Sequence, residues 1–258
     1  MLRIIVSADD FGYSDDTVDA TIQCFESGAL TSASIMTNMP ATARALDFAR
    51  RRGEFSFGVH LIFVGDGPER SLIGPSESSA LVDAEGRFAP ANRIRLRALL
   101  GTLPQDQIER QIRAQLQAVA AAGANISYVD SHKHLHKFAP FRAALAQVLP
   151  EFGIRKVRNV QDMYVRKPLA SPTLWLHFQW RKRLMDLFET TEHFYMPTGA
   201  GDLGWSEHVL ARVKGGTIEV AGHPGYREDW RAREREDLCR FASQAQMQGH
   251  RLIGWRDL

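Results

Sequence analysis

The sequence predicts an α/β fold with a parallel sheet. Short apolar, β-branched runs alternate with helix-period segments along the 258 residues, the pattern of repeated βαβ units. The number of units fits a barrel or near-barrel, and an open sheet is the alternative. In either architecture reactive residues collect at the C-terminal ends of the strands. Acidic and histidine residues do follow four of the runs here.

The elements run in order. Leu2–Ser7 (LRIIVS) has the composition of a buried strand. Asp16–Ser27 follows as a helix, with Val18, Ile22 and Phe25 at helical spacing and Gly28 placed to end it. Ser32–Thr37 is the second strand, Ala41–Arg52 a helix stopped by Gly53, and Phe55–Leu61 the third strand. Gln107–Ala121 is the clearest helix, its Ile108, Ile112, Leu116 and Val119 on one stripe. Ile126–Asp130 is a strand, Ala139–Leu149 a helix and Ile154–Arg158 a strand. Thr217–Ala221 and Arg251–Trp255 are late strands flanking a charged helix from about Trp230 to Gln248. The stretches near 65–106 and 158–204 break the alternation and read as inserted loops in a single domain spanning 1–258. Gly65–Phe88, rich in Gly, Pro and Ser, is expected to be a long loop over the site. The later insertion carries Trp175, Trp180, Phe194 and Tyr195, which read mainly as aromatic core. A substrate groove formed by Trp175, Trp180 and Phe194 is the sharper alternative.

Composition narrows the function. A chain that is 44% hydrophobic and 24% charged has enough apolar material for a sizeable core. Its net charge of +2 points to no nucleic-acid or other polyanion partner. The run Arg181-Lys182-Arg183 reads as a solvated helix face, against the alternative of a phosphate or membrane-surface contact. Two cysteines, Cys24 and Cys239, give no CxxC motif or disulfide framework, and a reduced, cytoplasmic setting is expected. The first apolar run is too short for a signal peptide core, and no stretch is long enough to insert stably in a membrane.

Four motifs carry chemistry. Asp9 and Asp10 follow the first strand, and adjacent carboxylates there are costly without a positive partner. A metal ion supplies one, with one carboxylate ligating and the other acting as a base. The bland reading is a helix cap, but Asp15 and Asp16 stand closer to the helix start and suit that role better. His60 ends the strand in Gly58-Val59-His60-Leu61; alone it is as easily structural. Asp130-Ser131-His132-Lys133-His134-Leu135-His136 places three histidines at alternate positions, which share a face if the segment stays extended. Asp130 is placed to hold an imidazole by its second nitrogen, while His134 and His136 are candidates for substrate binding or for orienting the site. His223, in Gly222-His223-Pro224-Gly225, is a candidate general acid or a turn residue. His177, His193, His208 and His250 read as surface or structural.

With Ala8–Gly12 (ADDFG), Leu30–Ser34 (LTSAS), GVHL at 58–61, DSHKHLH at 130–136 and GHPG at 222–225, the chain resembles the YdjC/ChbG family of carbohydrate deacetylases. The motifs span almost the whole chain. The resemblance implies a distorted (β/α) barrel, TIM-like, with the active site at the C-terminal ends of the strands, and a homodimer. It implies one divalent ion (Zn, Mn, Co or Mg) on Asp10, His60 and His132, with Asp9 as general base and His223 near the site. The implied reaction removes the acetyl group from an N-acetylated amino sugar, in an oligosaccharide or a glycolipid, and releases acetate. Leu81–Phe88 also resembles the branch of the family associated with hopanoid biosynthesis. One departure is Ile62-Phe63-Val64, where many members carry small hydroxyl residues; it bears on substrate contacts. Two rivals remain. A metal-dependent phosphoesterase usually needs more metal ligands or an Arg/Lys clamp, for which Arg155, Lys156 and Arg158 are the candidates; a non-catalytic sugar-binding protein would not need Asp9.

Overall fold

The computed structural model describes residues 1–65, 67–165, 172–197 and 204–258. Its strands are β1 (Arg3–Phe11), β2 (Ser32–Ile35), β3 (Ser56–Leu61), β4 (Ile126–Ser131), β5 (His193–Tyr195), β6 (Thr217–Gly222) and β7 (Arg251–Leu252). They form one parallel sheet in the order β4-β3-β2-β1-β6-β5, with β7 beside the start of β1. Single parallel bridges from Val129 to Val157 and from Lys156 to Glu189 carry the pairing on past β4. The sheet thus curls round toward β5 as a distorted (β/α) barrel. The strand expected over Ile154–Arg158 shrinks to those two bridging residues, because among the described residues Glu189 is the one partner on its far side.

The helices are α1 (Asp15–Glu26), α2 (Thr42–Arg51), α3 (Ala91–Leu99), α4 (Gln105–Ala121), α5 (Ala139–Val148), α6 (Pro172–Leu187), α7 (Trp205–Arg212) and α8 (Asp229–Met247). Strands β1, β2, β3 and β6 are buried on both faces except at Arg3, which is why they read as unbroken apolar runs rather than alternating ones. The α4 stripe of Ile108, Ile112, Leu116 and Val119 is fully buried, each side chain contributing about 1.5–3 kcal/mol. On α1 the cap is Ser14, whose hydroxyl accepts from the Thr17 amide; Asp15 and Asp16 stand in the first turn instead. Gly28 adopts φ +73° one residue beyond the cap, a left-handed stop that glycine takes without strain.

The two stretches that broke the alternation are not loop throughout. The first contains a 3-10 turn at Pro75–Glu77 and helix α3; the second contains α6 and β5. Part of the second, at 166–171 and 198–203, lies outside the described residues. Among the described residues no helix is long and apolar enough to cross a membrane.

Candidate active site

The two adjacent carboxylates depend on a break in β1. A regular strand sends successive side chains to opposite faces, so Asp9 and Asp10 would part company. Pairing between β1 and β2 slips between Ala8 and Phe11, and Asp10 takes φ +60°. The bulge re-aims the chain, and aspartate tolerates the left-handed region better than most residues. Both carboxylates then line one cavity of about 560 Å³ at the C-terminal ends of the strands.

On β3, His60 pairs in register with Asp130 of β4. Gly58, two residues earlier, is required because a Cβ there would lie 2.6 Å from the Tyr128 ring. His60 Nδ1 is 2.8 Å from Asp130 Oδ1, which leaves its Nε2 facing Asp10. Gln115 of α4 holds the end of this strand, its amide group bonding both the Ile62 N–H and the Ile62 carbonyl.

Three donor atoms converge. Asp10 Oδ1 is buried with no hydrogen-bond partner. His60 Nε2 and His132 Nδ1 each stand 3.5 Å from it. That is too long for a good hydrogen bond. It matches the separation of about 3.4 Å between two ligand atoms bonded at about 2.1 Å to one tetrahedral ion. The donor set and the orphaned oxygen therefore fit a divalent cation, and these three residues could hold one. Burial opposes the charge on Asp10, but the imidazoles of His132, His223 and His60 outweigh it and hold the carboxyl well below the usual range. Burial likewise opposes a cationic His60, and Asp130, Asp9 and Asp10 reverse this, raising it to about 9. A field that favours a proton this strongly also favours a metal cation.

A second cluster, Asp9, His60 and Asp130, shares His60 with the first. Its cation is already present. Arg158, fully buried, places Nη1 2.6 Å from Asp9 and 2.5 Å from Asp130, while Nε and Nη2 fork onto Glu219 at 3.0 and 2.7 Å. Trp255 donates its indole N–H to the same Glu219 and stacks on Tyr128 at 4.6 Å. Burial pushes the Asp9 carboxyl upward, yet Arg158 and His60 bring it below the ordinary value, so it is ionised at neutral pH.

On the far wall, His223 follows β6. Glu234 of α8 lies 3.0 Å from its Nδ1 and accepts its backbone N–H at 2.8 Å. Burial lowers the imidazole, and the Glu234 hydrogen bond and Asp10 more than compensate, leaving it raised. Arg231 donates to Asp10 Oδ2 at 2.8 Å and packs over the Tyr13 and Trp230 rings. Gly225 of the GHPG turn admits this arginine, since a Cβ would lie 2.9 Å from its side chain.

The structure brings Asp9, Asp10, His60, His132, His134 and His223 to one cavity, with Asp130 directly behind His60. His136 is not among them. The 132–137 segment is a 3-10 turn with Lys133 and His134 at φ +56°, so the three histidines do not share a face. His136 turns inward, its Nδ1 2.8 Å from Ser131 Oγ. The aromatic groove also fails. Phe194 is buried against Arg158, Trp180 packs on Phe138 and Trp175 is exposed; none lines the cavity. Ile62, Phe63 and Val64 are core residues and do not line it either. The proposed phosphate clamp is absent: Arg158 is committed to three carboxylates, Lys156 bonds the Trp255 and Arg256 carbonyls, and Arg155 is exposed elsewhere. The sequence reading missed Arg231, Glu234, Trp230, Tyr13 and Glu69, all placed at the site by tertiary packing. Arg158 it named for the wrong task.

The sequence pattern that defines the YdjC-like protein family matches residues 3–251. A carbohydrate deacetylase of Geobacillus stearothermophilus is 32% identical over 228 residues, covering 86% of this chain and 79% of the relative. A carbohydrate deacetylase of Homo sapiens is 29% identical over 256 residues, covering 87% and 75%. The solved structure of a protein described as a cellobiose-phosphate cleavage protein from Enterococcus faecalis V583 superposes with a TM-score of 0.81 at 18% identity, covering 99% and 98% of the two chains. That likeness is one of fold, whereas the match over residues 3–251 and the motifs along it are ones of sequence, and the chain belongs to the YdjC-like family.

Proposed function

We propose that this chain is a metal-dependent hydrolase that removes the acetyl group from an N-acetylated amino sugar. One observation carries the reading: the buried, unpartnered Asp10 Oδ1 faces two imidazole nitrogens at 3.5 Å, beside the ionised Asp9. The relatives named carbohydrate deacetylases support the substrate class.

Asp10, His60 and His132 would hold one divalent ion. Two imidazoles and a carboxylate suit Zn, Mn or Co and argue against a pure Mg preference. The single-ion count rests on Arg158, which already neutralises the neighbouring Asp9–His60–Asp130 cluster. When bound, the ion supplies Lewis acidity toward a water and an acetamide carbonyl. Asp9 is tied to Arg158 through Oδ2, so Oδ1, which accepts a long hydrogen bond from Ser34 Oγ at 3.4 Å, is the atom that takes the proton from the attacking water. His223 is bound to Glu234 through Nδ1, so Nε2 is the atom that delivers a proton to the departing amine. Trp230, 41% exposed on the cavity wall, offers a stacking surface for a sugar ring. Acetate and a free amino sugar leave.

The test is acetate release by metal-stripped protein given Zn, Mn, Co or Mg, with N-acetylglucosamine oligomers and an N-acetylglucosaminyl lipid as substrates. Release that needs metal and disappears in Asp9→Asn is the expected result, and the better substrate chooses between oligosaccharide and glycolipid. Metal-loaded protein that binds these sugars without releasing acetate would return the reading to a non-catalytic sugar-binding protein.

A further inference from the structure

Two helices flank one wall of the cavity and carry apolar side chains that no described part of the chain covers. On α6, Trp175 and Phe178 are 63% and 60% exposed and Met185 44%. With Lys182 they fall at i, i+3, i+7 and i+10, a single stripe along the helix. On α3, Leu96 and Leu99 are 58% and 56% exposed, and Leu100 just beyond is 66%. Globular surfaces carry single exposed apolar residues routinely, but rows of them mark an interaction site.

The charges around these rows are mainly basic. Helix α3 holds Arg93, Arg95 and Arg97 and no acidic residue; α6 carries Arg181-Lys182-Arg183 and one acid, Asp186, and of the three cations Arg181 faces Asp162 at 3.7 Å while Lys182 and Arg183 are exposed. Arg95 and Arg97 direct their guanidinium hydrogen bonds to backbone carbonyls and, among the described residues, pair with no carboxylate. Arg142 of α5 does the same with the Lys137 carbonyl and feels the charge of Arg183. The whole chain is only +2, so this basic band is local.

The two helices border the same part of the site. Helix α3 packs on α5, and α6 packs on the 132–137 turn through Trp180, whose ring lies 4.9 Å from Phe138 and 5.3 Å from the Lys137 ammonium. Arg95 of α3 and Lys133 and His134 of the turn line the cavity itself.

We propose that α3 and α6 form a docking face for an anionic lipid bilayer, holding the mouth of the cavity at the membrane surface. Aromatic and aliphatic side chains on a basic helix face enter the headgroup and acyl boundary while the cations meet anionic lipid. A second copy of this chain is the poorer occupant, since a two-fold interface would set this basic band against itself. Docked in this way, the cavity faces headgroups, and an amino sugar on a lipid anchor is presented to it. The proposal stands apart from the deacetylase reading, because bilayer binding needs neither metal nor turnover.

The test is co-sedimentation of the full chain with vesicles of phosphatidylcholine alone and with roughly one-third phosphatidylglycerol. The expected result is pelleting with the anionic vesicles only, weakened by salt and reduced at least tenfold in both Trp175→Ala/Phe178→Ala and Lys182→Glu/Arg183→Glu. Circular dichroism and acetate release from a soluble substrate check that these surface variants stay folded. Failure to pellet above the phosphatidylcholine level, or pelleting that neither variant changes, overturns the proposal. So does a homodimer in sedimentation velocity that both variants dissociate while vesicles bind nothing, which would make this face a self-interface.

Discussion

Replacing Arg158 with methionine removes the one cation that, among the described residues, is shared by Asp9, Asp130 and Glu219, each of them buried. Methionine fills much of the same space, so the change is chiefly one of charge. Breaking a buried pair by deleting one partner costs about 3–5 kcal/mol, because the other partner stays buried and unpaired. Against a total stability of roughly 5–15 kcal/mol, that is a large share. At about 2–4 °C per kcal/mol for a chain of this size, the melting temperature should fall by roughly 6–20 °C. Arg158→Lys keeps the charge, but one ammonium cannot replace three nitrogens directed at three carboxylates, so an intermediate fall is expected. Below its melting temperature the lysine variant should still bind metal through Asp10, His60 and His132 yet release acetate slowly, since a single ammonium keeps a positive charge near Asp9 but no longer aims its carboxylate. Thermal melts by circular dichroism at pH 7, with and without metal, measure the first effect and acetate release the second. A methionine variant melting within about 2 °C of the parent would refute the claim that Arg158 carries the charge balance of this core.

Asp9→Asn should leave metal affinity nearly intact while acetate release drops at least about a hundredfold; His132→Ala should lose both, and equilibrium dialysis separates the two cases. Glu234→Gln removes the carboxylate that orients and charges His223. It should lower kcat about 10–100-fold with little change in KM, and an unchanged kcat would remove His223 from proton delivery. Lys137 is held near a pKa of about 8 by burial and by Arg95. Its folded value lies below its unfolded one, so folding disfavours the charged form. Stability is therefore fullest above pH 10.5 and is lost as pH falls through 8. Lys137→Met should abolish that dependence and, with the Trp180 ring contact offsetting part of the gain, stabilise the protein at pH 7 by about 1–2 kcal/mol; urea melts at pH 7 and 10 give the comparison.

The parts of this molecule that were readable from sequence are those written in local patterns. Ile108, Ile112, Leu116 and Val119 declare a helix by their spacing, and strands such as IIVSA declare burial on both faces by lacking alternation. That Asp9, Asp10, His60, His132 and His223 gather at one end was legible because parallel strands deliver their C-terminal ends to one side whatever the detail of the loops; the choice of Asp10, His60 and His132 among them came from the family resemblance. What was not legible depends on dihedrals and on distant packing. Left-handed backbone at Lys133 and His134 scatters three histidines that an extended chain would have aligned. Arg158 reads as a free cation until three carboxylates from β1, β4 and β6 close around it. Glu234 and Arg231 sit in a helix whose charges look like an ordinary solvated face, and only the docking of α8 over Gly225 turns them inward. Cys24 and Cys239, 215 residues apart in sequence, come within 3.9 Å in the same way.

The most direct test of the central claim is to follow acetate release while divalent metal is titrated into stripped protein. No release is expected without metal, then a linear rise up to one ion per chain and a plateau beyond it, with the whole response abolished in His60→Ala and His132→Ala. Release from fully stripped protein, or a rise that continues to a second equivalent, would contradict a single ion held by Asp10, His60 and His132.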